Sequence, residues 1–194
     1  MMALMSWGHV RTSLFSLVVP LVSLLVGRVN ADALSDLRQV ADQGDANAQY
    51  KLGVMYGDGL GVKQNSAEAV RWYRKAADQG QVDAQLNLAA AYTLGLGVKG
   101  NSAEAIRWYG KAADQGHADA QFNLCLMYAR GHGVRQDNVT AYMFCSLAAS
   151  PPTSKASGEA RQLLDVLSSN MTPAQIAEAQ KLAREWKPMQ SEKK

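Results

Sequence analysis

The apolar positions of the central chain recur with the spacing of amphipathic helices. Ala48, Leu52, Gly53 and Tyr56 stand at i, i+4, i+5 and i+8, on one face of a helix predicted from about Ala46 to Gly57. The segment GDGLGV then interrupts this helix, because three glycines within five residues favour positive φ and a turn. We therefore expect the next helix to run antiparallel to the first.

The second predicted helix begins with polar residues and continues as an apolar stripe. Asn65, with Glu68 three residues later, favours a capping box in which each side chain satisfies a free backbone amide of the first turn. Gly80 stands where a left-handed C-terminal cap is common. The inner stripe consists of Ala69, Trp72, Tyr73 and Ala76.

This pair of helices is repeated along the chain. Asp45–Gly80 and Gln81–Gly116 are identical at 23 of 36 positions, and His117–Pro152 continues the same register. Self-similarity with a period of about 20 to 50 residues is the signature of a solenoid, in which each unit buries its apolar face against its neighbours.

The start of the chain has the composition of a secretory signal peptide. Arg11 precedes an apolar run from Leu14 to Val26, and VNA ends the segment at Ala31. The run is shorter than the roughly 20 residues that a spanning helix needs, so we expect cleavage after Ala31, with an uncleaved anchor as the alternative. The signal predicts a periplasmic or secreted protein that meets the membrane only through this transient segment. The full division is 1–31 signal peptide, 32–44 half-repeat helix, 45–80, 81–116 and 117–152 repeats, 153–187 capping helices and 188–194 disordered tail.

The third repeat departs from the first two in a way that predicts a different neighbour. Its second helix is more apolar, with Met143 and Leu147 where the earlier repeats carry arginine and lysine. Two further helices, GEARQLLDVLSS and MTPAQIAEAQKLAREWK, are expected to cover it. The last begins with a capping box of Thr172 and Gln175 around Pro173. Its predicted inner face consists of Ile176, Ala179, Leu182, Ala183 and Trp186.

The recurring positions resemble the Sel-one-like repeat family, a relative of the tetratricopeptide repeats. The matching pattern has Ala and Leu-Gly in the first helix, then Tyr, G-x-GV, Ala, WY and KAA-x-QG, and it covers roughly Ala33 to Ala149. The resemblance implies an all-α, right-handed solenoid of antiparallel helix hairpins with C-terminal capping helices. It also implies a non-enzymatic scaffold that binds a protein or peptide partner, and we expect a monomer.

Charge and residue types exclude several other functions. The formal charge of +3 is small and spread along the chain, so no basic stripe predicts a nucleic-acid partner. His117 and His132 are the only histidines beyond the predicted signal, and we expect both at the surface. No third ligand converges with them, so neither a metal site nor a cofactor is predicted. No nucleophile is found beside a base, and no catalytic residue is predicted.

The two cysteines are candidates for a disulfide. The repeat register places Cys125 at the small position of a first helix and Cys145 on the inner stripe of its antiparallel partner. Paired cysteines of an exported chain tend to oxidise, whereas the alternative is two small buried apolar residues. Relatives called Helicobacter cysteine-rich proteins also bridge the helices of a repeat, although at other positions. Because some of those relatives have been proposed to act on β-lactams, a cell-wall-related enzyme is the second hypothesis for function.

The first helices carry a second apolar row, opposite the core stripe, which we expect on the concave side of the superhelix. Its members are Tyr50, Val54 and Gly57, then Leu86, Ala90 and Thr93, then Phe122, Leu126 and Ala129. Asp83, Asp119, Thr93 and Arg130 stand at its edge. The row predicts either a partner-binding groove anchored by Tyr50, Leu86 and Phe122, or simple packing between neighbouring helices, and the two are compatible. A lysine–asparagine clamp for a partner's terminal carboxylate, as in some tetratricopeptide domains, is not seen at these positions.

Overall fold

The computed structural model describes residues 32–150 and 155–186, and the secondary-structure elements in these ranges are all helices. The predicted signal peptide and the predicted tail lie outside the described residues. None of the described helices is both long and apolar enough to cross a membrane. The helices are α1 (32–42), α2 (Ala46–Asp58), α3 (Ser66–Asp78), α4 (Val82–Leu94), α5 (Ser102–Asp114), α6 (Ala118–Arg130), α7 (Asn138–Ala149), α8 (Lys155–Ser169) and α9 (Pro173–Glu185).

Consecutive helices pack as hairpins, α2 with α3, α4 with α5 and α6 with α7, which confirms the predicted all-α solenoid. The first helix of each hairpin ends at a glycine in the left-handed region, which other residues rarely adopt. The following turn lies directly on the preceding repeat, since a Cβ at Gly97 would overlap the backbone of Ser66. The glycine-rich turns therefore stack along one edge of the array.

The predicted capping box at Asn65 is only half correct. The Asn65 side chain accepts hydrogen bonds from two backbone N–H groups of the first turn, both at 3.1 Å. The Glu68 carboxylate, however, accepts from the Arg71 guanidinium and from the Trp72 indole N–H. The Asn65 N–H instead donates to the Tyr56 carbonyl at 2.8 Å, so the turn already satisfies the group that Glu68 was expected to bind.

One pair of equivalent positions sets the contact between the two helices of each hairpin. In the first repeat Gly53 lies against the ring of Tyr73, so closely that an added Cβ would overlap the ring. Ala89 and Tyr109 occupy these positions in the second repeat, and both are buried. A small residue on the first helix therefore makes room for an aromatic side chain from the second.

The third repeat fills the same two positions with a disulfide. Cys125 and Cys145 are bonded, with Cα atoms 5.3 Å apart, and both are 0% exposed. This separation lies within the range that a disulfide requires. The bond joins α6 to α7 at the level where a tyrosine packs in the first two repeats.

A buried glutamine connects each repeat to the preceding one. The Gln85 amide donates to the carbonyl of Ala77 at 3.2 Å, and its oxygen accepts from the amide of Gln115 at 2.8 Å. Equivalent bonds run from Gln49 to Ala41, from Gln121 to Ala113 and from Gln79 to Gln49. Since a buried amide is costly when it lacks partners, these bonds favour one register between neighbouring repeats.

The helix α8 continues the array and occupies the place of the first helix in a fourth hairpin. Ala156 and Ala160 fall 36 residues after Ala120 and Leu124, and all four are buried. The helix packs against both α7 and α6, as the first helix of a further repeat would. The C-terminal cap thus begins with a helix that keeps the spacing and packing of the repeats.

The helix α9 packs on α7, where the Trp186 ring meets the Phe144 ring edge-on with centroids 5.3 Å apart. Its start is the predicted capping box of Thr172 and Gln175, which is confirmed. The predicted inner face is wrong at Leu182, which is 38% exposed. The side of α9 that packs on α7 instead contains the buried Ala179 and, at its C-terminal end, Trp186.

Candidate functional site

The first helices α2, α4 and α6, together with α8, form one side of the array, which we call the A face. Thr93 and Arg130 are exposed there. The apolar residues of the predicted row are half-buried, and several of them pack against the core. These half-buried residues are Tyr50, Val54, Leu86, Ala90, Phe122 and Leu126. The row therefore packs between neighbouring helices and also keeps part of its surface accessible. The packing interpretation and the groove interpretation from the sequence each describe part of it.

Two tyrosines pack against each other in the first repeat, one of them on the A face. The Tyr50 and Tyr73 rings lie with centroids 6.1 Å apart. Burial raises the pKa of Tyr73 to about 12. Burial, and then the negative charge of Asp83, raises the pKa of Tyr50. Both phenols are therefore neutral hydrogen-bonding groups at physiological pH.

Thr93 is exposed but anchored to its own helix. Its hydroxyl donates to the carbonyl of Ala89 at 2.9 Å. Burial raises the pKa of Tyr109, so this phenol too is neutral. The contact gives the middle of the A face a fixed polar position beside the half-buried Leu86 and Ala90.

The two histidines have different surroundings. His132 is exposed in its turn, as predicted. His117 is half-buried instead, with Nε2 3.5 Å from a carboxylate oxygen of Asp83 in the preceding repeat. The prediction of a surface position is therefore wrong for His117, because the junction between repeats covers it. Among the described residues, no group of three or more histidine, cysteine or acidic side chains could hold a metal ion.

In the third repeat the predicted residues form one wall of a groove. Phe122, Leu126 and Arg130 of α6 face Leu163 and Val166 of α8 across it. Sequence reasoning found the α6 residues but missed the opposite wall, because α8 was expected only as a cap. The recurrence of buried positions 36 residues after those of α6 was the available signal.

Sequence reasoning also missed the polar part of the A face. Tyr73 and Tyr109 were assigned to the inner stripe of the second helices, but the Asn87 and Thr93 side chains of the first helices lower the pKa of their hydroxyls, against the rise that burial causes. The only sequence signal was the recurrence of tyrosine at the same position of two repeats. For Tyr73 this asparagine belongs to the neighbouring repeat.

Comparison with known families decides what kind of protein this is. A profile of the Sel1 repeat matches residues 46–81, 82–117 and 118–150, in register with the three hairpins. The chain belongs to the Sel1 repeat family. Proteins with Sel1 repeats are generally non-enzymatic scaffolds for protein interactions. No curated protein matches the chain significantly.

Solved structures with the same fold include two bacterial Sel1 repeat proteins. One is c5321, a protective antigen present in uropathogenic Escherichia coli strains, with 35% identity, a TM-score of 0.71 and 79% of the present chain covered. The other is a Sel1 repeat protein from Oxalobacter formigenes, with 35% identity, a TM-score of 0.58 and 66% covered. The matches span only 32% and 51% of those two chains.

Proposed function

We propose that this Sel1 repeat protein is an exported scaffold that captures a partner protein along the A face. The observation that carries the proposal is the row of half-buried apolar side chains that crosses α2, α4 and α6 with exposed polar groups at its edge. Such a surface buries apolar area on binding without exposing the core in the free protein. Tyr50, Leu86 and Phe122 are the proposed anchors.

The rigidity of this surface supports a binding role. Tyr73 is buried, and the Tyr50 ring packs against it with centroids 6.1 Å apart, so both aromatic side chains are held in place before a partner arrives. A surface that is ordered in the free protein loses less conformational entropy on binding. The proposed mechanism is therefore docking on a preformed surface, with no chemical step.

Export is supported by the cysteine pair and by the segment that precedes the described residues. Cys125 and Cys145 have the geometry of a disulfide, which forms and persists in oxidising compartments. We propose cleavage near Ala31 and function in the periplasm or outside the cell. Alkylation and mass spectrometry of the exported protein without reductant should find neither thiol modified, and alkylation of both would contradict the oxidised state.

Photo-crosslinking from cell-envelope extract tests the binding surface. A photoreactive amino acid at Thr93, exposed on the A face, is expected to trap a specific partner, whereas the same probe at Ala103, exposed on α5, should not. Changing Tyr50, Leu86 and Phe122 to Ser should remove the Thr93 product while the circular dichroism of the helices remains. Equal products from both probes would contradict the proposal. It would also be contradicted if the triple variant lost its helicity and the milder Leu86→Ala variant still captured the partner fully.

A further inference from the structure

The glycine-rich turns form one edge of the array, which we call the turn edge and which consists of residues 58–65, 94–101 and 130–137. Gly97 lies on Ser66 of the preceding repeat and Gly133 lies on Ser102, so the three turns follow one another in a row. The junctions between repeats, at residues 43–45, 79–81 and 115–117, lie at the opposite ends of the helices and form the junction edge. One helix of 13 residues, about 20 Å long, separates the two edges.

Leucines are exposed at the turn edge of the first two repeats. Leu60 and Leu96 occupy equivalent positions in their turns and are 55% and 53% exposed, and Leu94 at the end of α4 is 68% exposed. Within the described part of the chain these are three of the six large apolar side chains that remain exposed. Such side chains gain free energy when another surface removes them from water.

Basic residues accompany these leucines. Lys63, Lys99 and Arg135 are exposed at equivalent positions of the three turns, and Arg130 is exposed at the end of α6. Because the turns follow one another in a row, the four cations lie along the same edge as the leucines.

Acidic residues at the turn edge do not balance these four charges. Asp58 is exposed, and the Asp137 side chain caps α7 by accepting hydrogen bonds from backbone N–H groups. Glu68 and Glu104, at the starts of α3 and α5, are each paired with an arginine of the same helix. The turn edge is therefore basic.

The junction edge has the opposite character. Lys75 and Lys111, in the last turns of α3 and α5, hold their ammonium groups over tryptophan rings, 4.2 and 4.3 Å from the centroids. Aspartates lie next to all three junctions, namely Asp42, Asp45, Asp78, Asp83, Asp114 and Asp119. The protein thus presents a basic edge and an acidic edge, and an anionic surface attracts the first and repels the second.

The described chain begins at the turn edge. Ala41 accepts a hydrogen bond from the Gln49 amide as Ala77 does from the Gln85 amide, so α1 stands in the place of a second helix. Second helices run from the turn edge to the junction edge, and residue 32 is equivalent to residue 68, in the first turn of α3. The predicted signal peptide, while it is in a membrane, therefore joins the protein at the turn edge.

We propose that the turn edge binds the surface of a lipid bilayer that contains anionic lipids. The leucines of the first two turns enter the interface between headgroups and acyl chains, and the basic residues lie among the headgroup phosphates. This contact is additional to the transient one that the signal peptide predicts. It goes beyond the scaffold function, because it uses another surface and leaves the A face accessible.

A bilayer suits the arrangement of these residues. The leucines stand at the ends of two successive hairpins, where a flat surface reaches both at once. Binding at a membrane interface combines buried apolar area with attraction between basic residues and anionic lipids, and the turn edge supplies both. The connection of the predicted signal to this edge brings the same edge next to a membrane.

Vesicle flotation of the exported protein tests the proposal. The vesicles consist of phosphatidylcholine alone, or of phosphatidylcholine and phosphatidylglycerol in equal parts. We expect binding to the anionic vesicles that weakens as the salt concentration is raised, and little binding to the neutral ones. Absence of binding to the anionic vesicles, or equal binding to both kinds, overturns the proposal.

Removal of two basic residues measures the electrostatic part. Lys63→Gln with Lys99→Gln should lower the partition coefficient on anionic vesicles by about thirtyfold, since each basic residue near an anionic surface contributes about fivefold. The matched control is Lys51→Gln with Lys181→Gln, which removes two exposed lysines of α2 and α9 that lie outside the turns. An equal loss in the two pairs would show that net charge alone matters, and the turn edge would then not be the binding surface.

Removal of two leucines measures the apolar part. Leu60→Ser with Leu96→Ser should lower the partition coefficient on the order of tenfold, because about half of each side chain is available for burial in the interface. Val40→Ser with Leu182→Ser is the control, since both residues are exposed on helices away from the turns, and it should leave binding unchanged. Unchanged binding in the Leu60 and Leu96 variant, with its helicity retained, also overturns the proposal.

The membrane proposal and the scaffold proposal fail separately. Crosslinking from Thr93 without vesicle binding removes the membrane contact and leaves the scaffold in place. Vesicle binding that depends on Lys63 and Lys99, without crosslinking from Thr93, supports the membrane contact and contradicts the scaffold.

Discussion

The second helices of the second and third repeats occupy equivalent places in the fold, yet their outer sides are covered differently. On α5 the aromatic ring of Trp108 lies under the Arg107 guanidinium, 4.4 Å from the ring centroid, and under the Lys111 ammonium at 4.3 Å. On α7 the equivalent ring is Phe144, and Trp186 of α9 covers it. The first repeat has the same cationic cover as the second.

This difference shows how a repeat array specifies its end. Long cationic side chains shield an aromatic ring with their stems while their charges stay in water, so that side of α5 needs no further helix. Met143 and Leu147 stand where α5 has Arg107 and Lys111, and they have no charged group to present to solvent. A helix must cover them instead, and α9 packs there.

The largest effect on the difference between α5 and α7 is expected from Phe144→Ala, which removes the ring that α9 covers. The variant loses the ring contacts with Tyr128 and Trp186, and removal of a buried phenylalanine costs about 4 kcal/mol of unfolding free energy. Urea denaturation measures the loss. Hydrogen exchange should show α9 losing protection while α2 and α3 keep theirs, and a protected α9 would show that Phe144 does not hold the cap.

An intermediate effect is expected from the disulfide. Changing Cys125 and Cys145 to Ala opens a loop of 20 residues and should lower the unfolding free energy by about 3 kcal/mol. Chemical denaturation of the parent and the double variant measures it. Equal stability of the parent with and without reductant would contradict a stabilising role.

The control for that experiment introduces into the third repeat the Ala–Tyr pair that the second repeat has at these two positions. Cys125→Ala with Cys145→Tyr recreates Ala89 and Tyr109 at the equivalent positions. If the positions are interchangeable, this variant should recover part of the stability that the double Ala variant loses. A graft less stable than the double Ala variant would show that α6 and α7 approach too closely for a tyrosine.

The smallest effect concerns alkaline pH and arises only in the regular repeats. Burial raises the pKa of Tyr73 from 10.0 to about 12, so its contribution is fully present below pH 10 and is lost as pH rises through about 12. A shift of two pKa units corresponds to about 3 kcal/mol once the pH exceeds both values, and about 2 kcal/mol of this is lost by pH 12. Urea denaturation between pH 9 and pH 12 should show this loss, and Tyr73→Phe should reduce it.

The third repeat provides the control for the alkaline loss, because Cys145 replaces the tyrosine at the equivalent position. An unchanged alkaline loss in Tyr73→Phe would assign the effect to other groups.

Local sequence patterns predicted most of the fold but only part of the site. The hairpins, their glycine turns and the Thr172 capping box depend on residues a few positions apart, and the structure has them as predicted. Two local predictions were wrong: the hydrogen bond from the Asn65 N–H to the Glu68 side chain, and the burial of Leu182. For Glu68 the competing contact is the Tyr56 carbonyl, which accepts the Asn65 N–H, and for Leu182 the side of α9 that packs contains Ala179 and Trp186 instead.

The sequence by itself determined the number and register of the repeats, because a period of 36 residues with apolar stripes of helical spacing and glycine turns is typical of stacked helix hairpins. It also placed the two cysteines on facing helices. Only the tertiary structure decided that α8 lies beside α6 and so creates a groove at Arg130. The same holds for the hydrogen bonds of the buried glutamines. The reason is that these contacts join residues from different repeats, and their partners are chosen by packing geometry rather than by spacing along one helix.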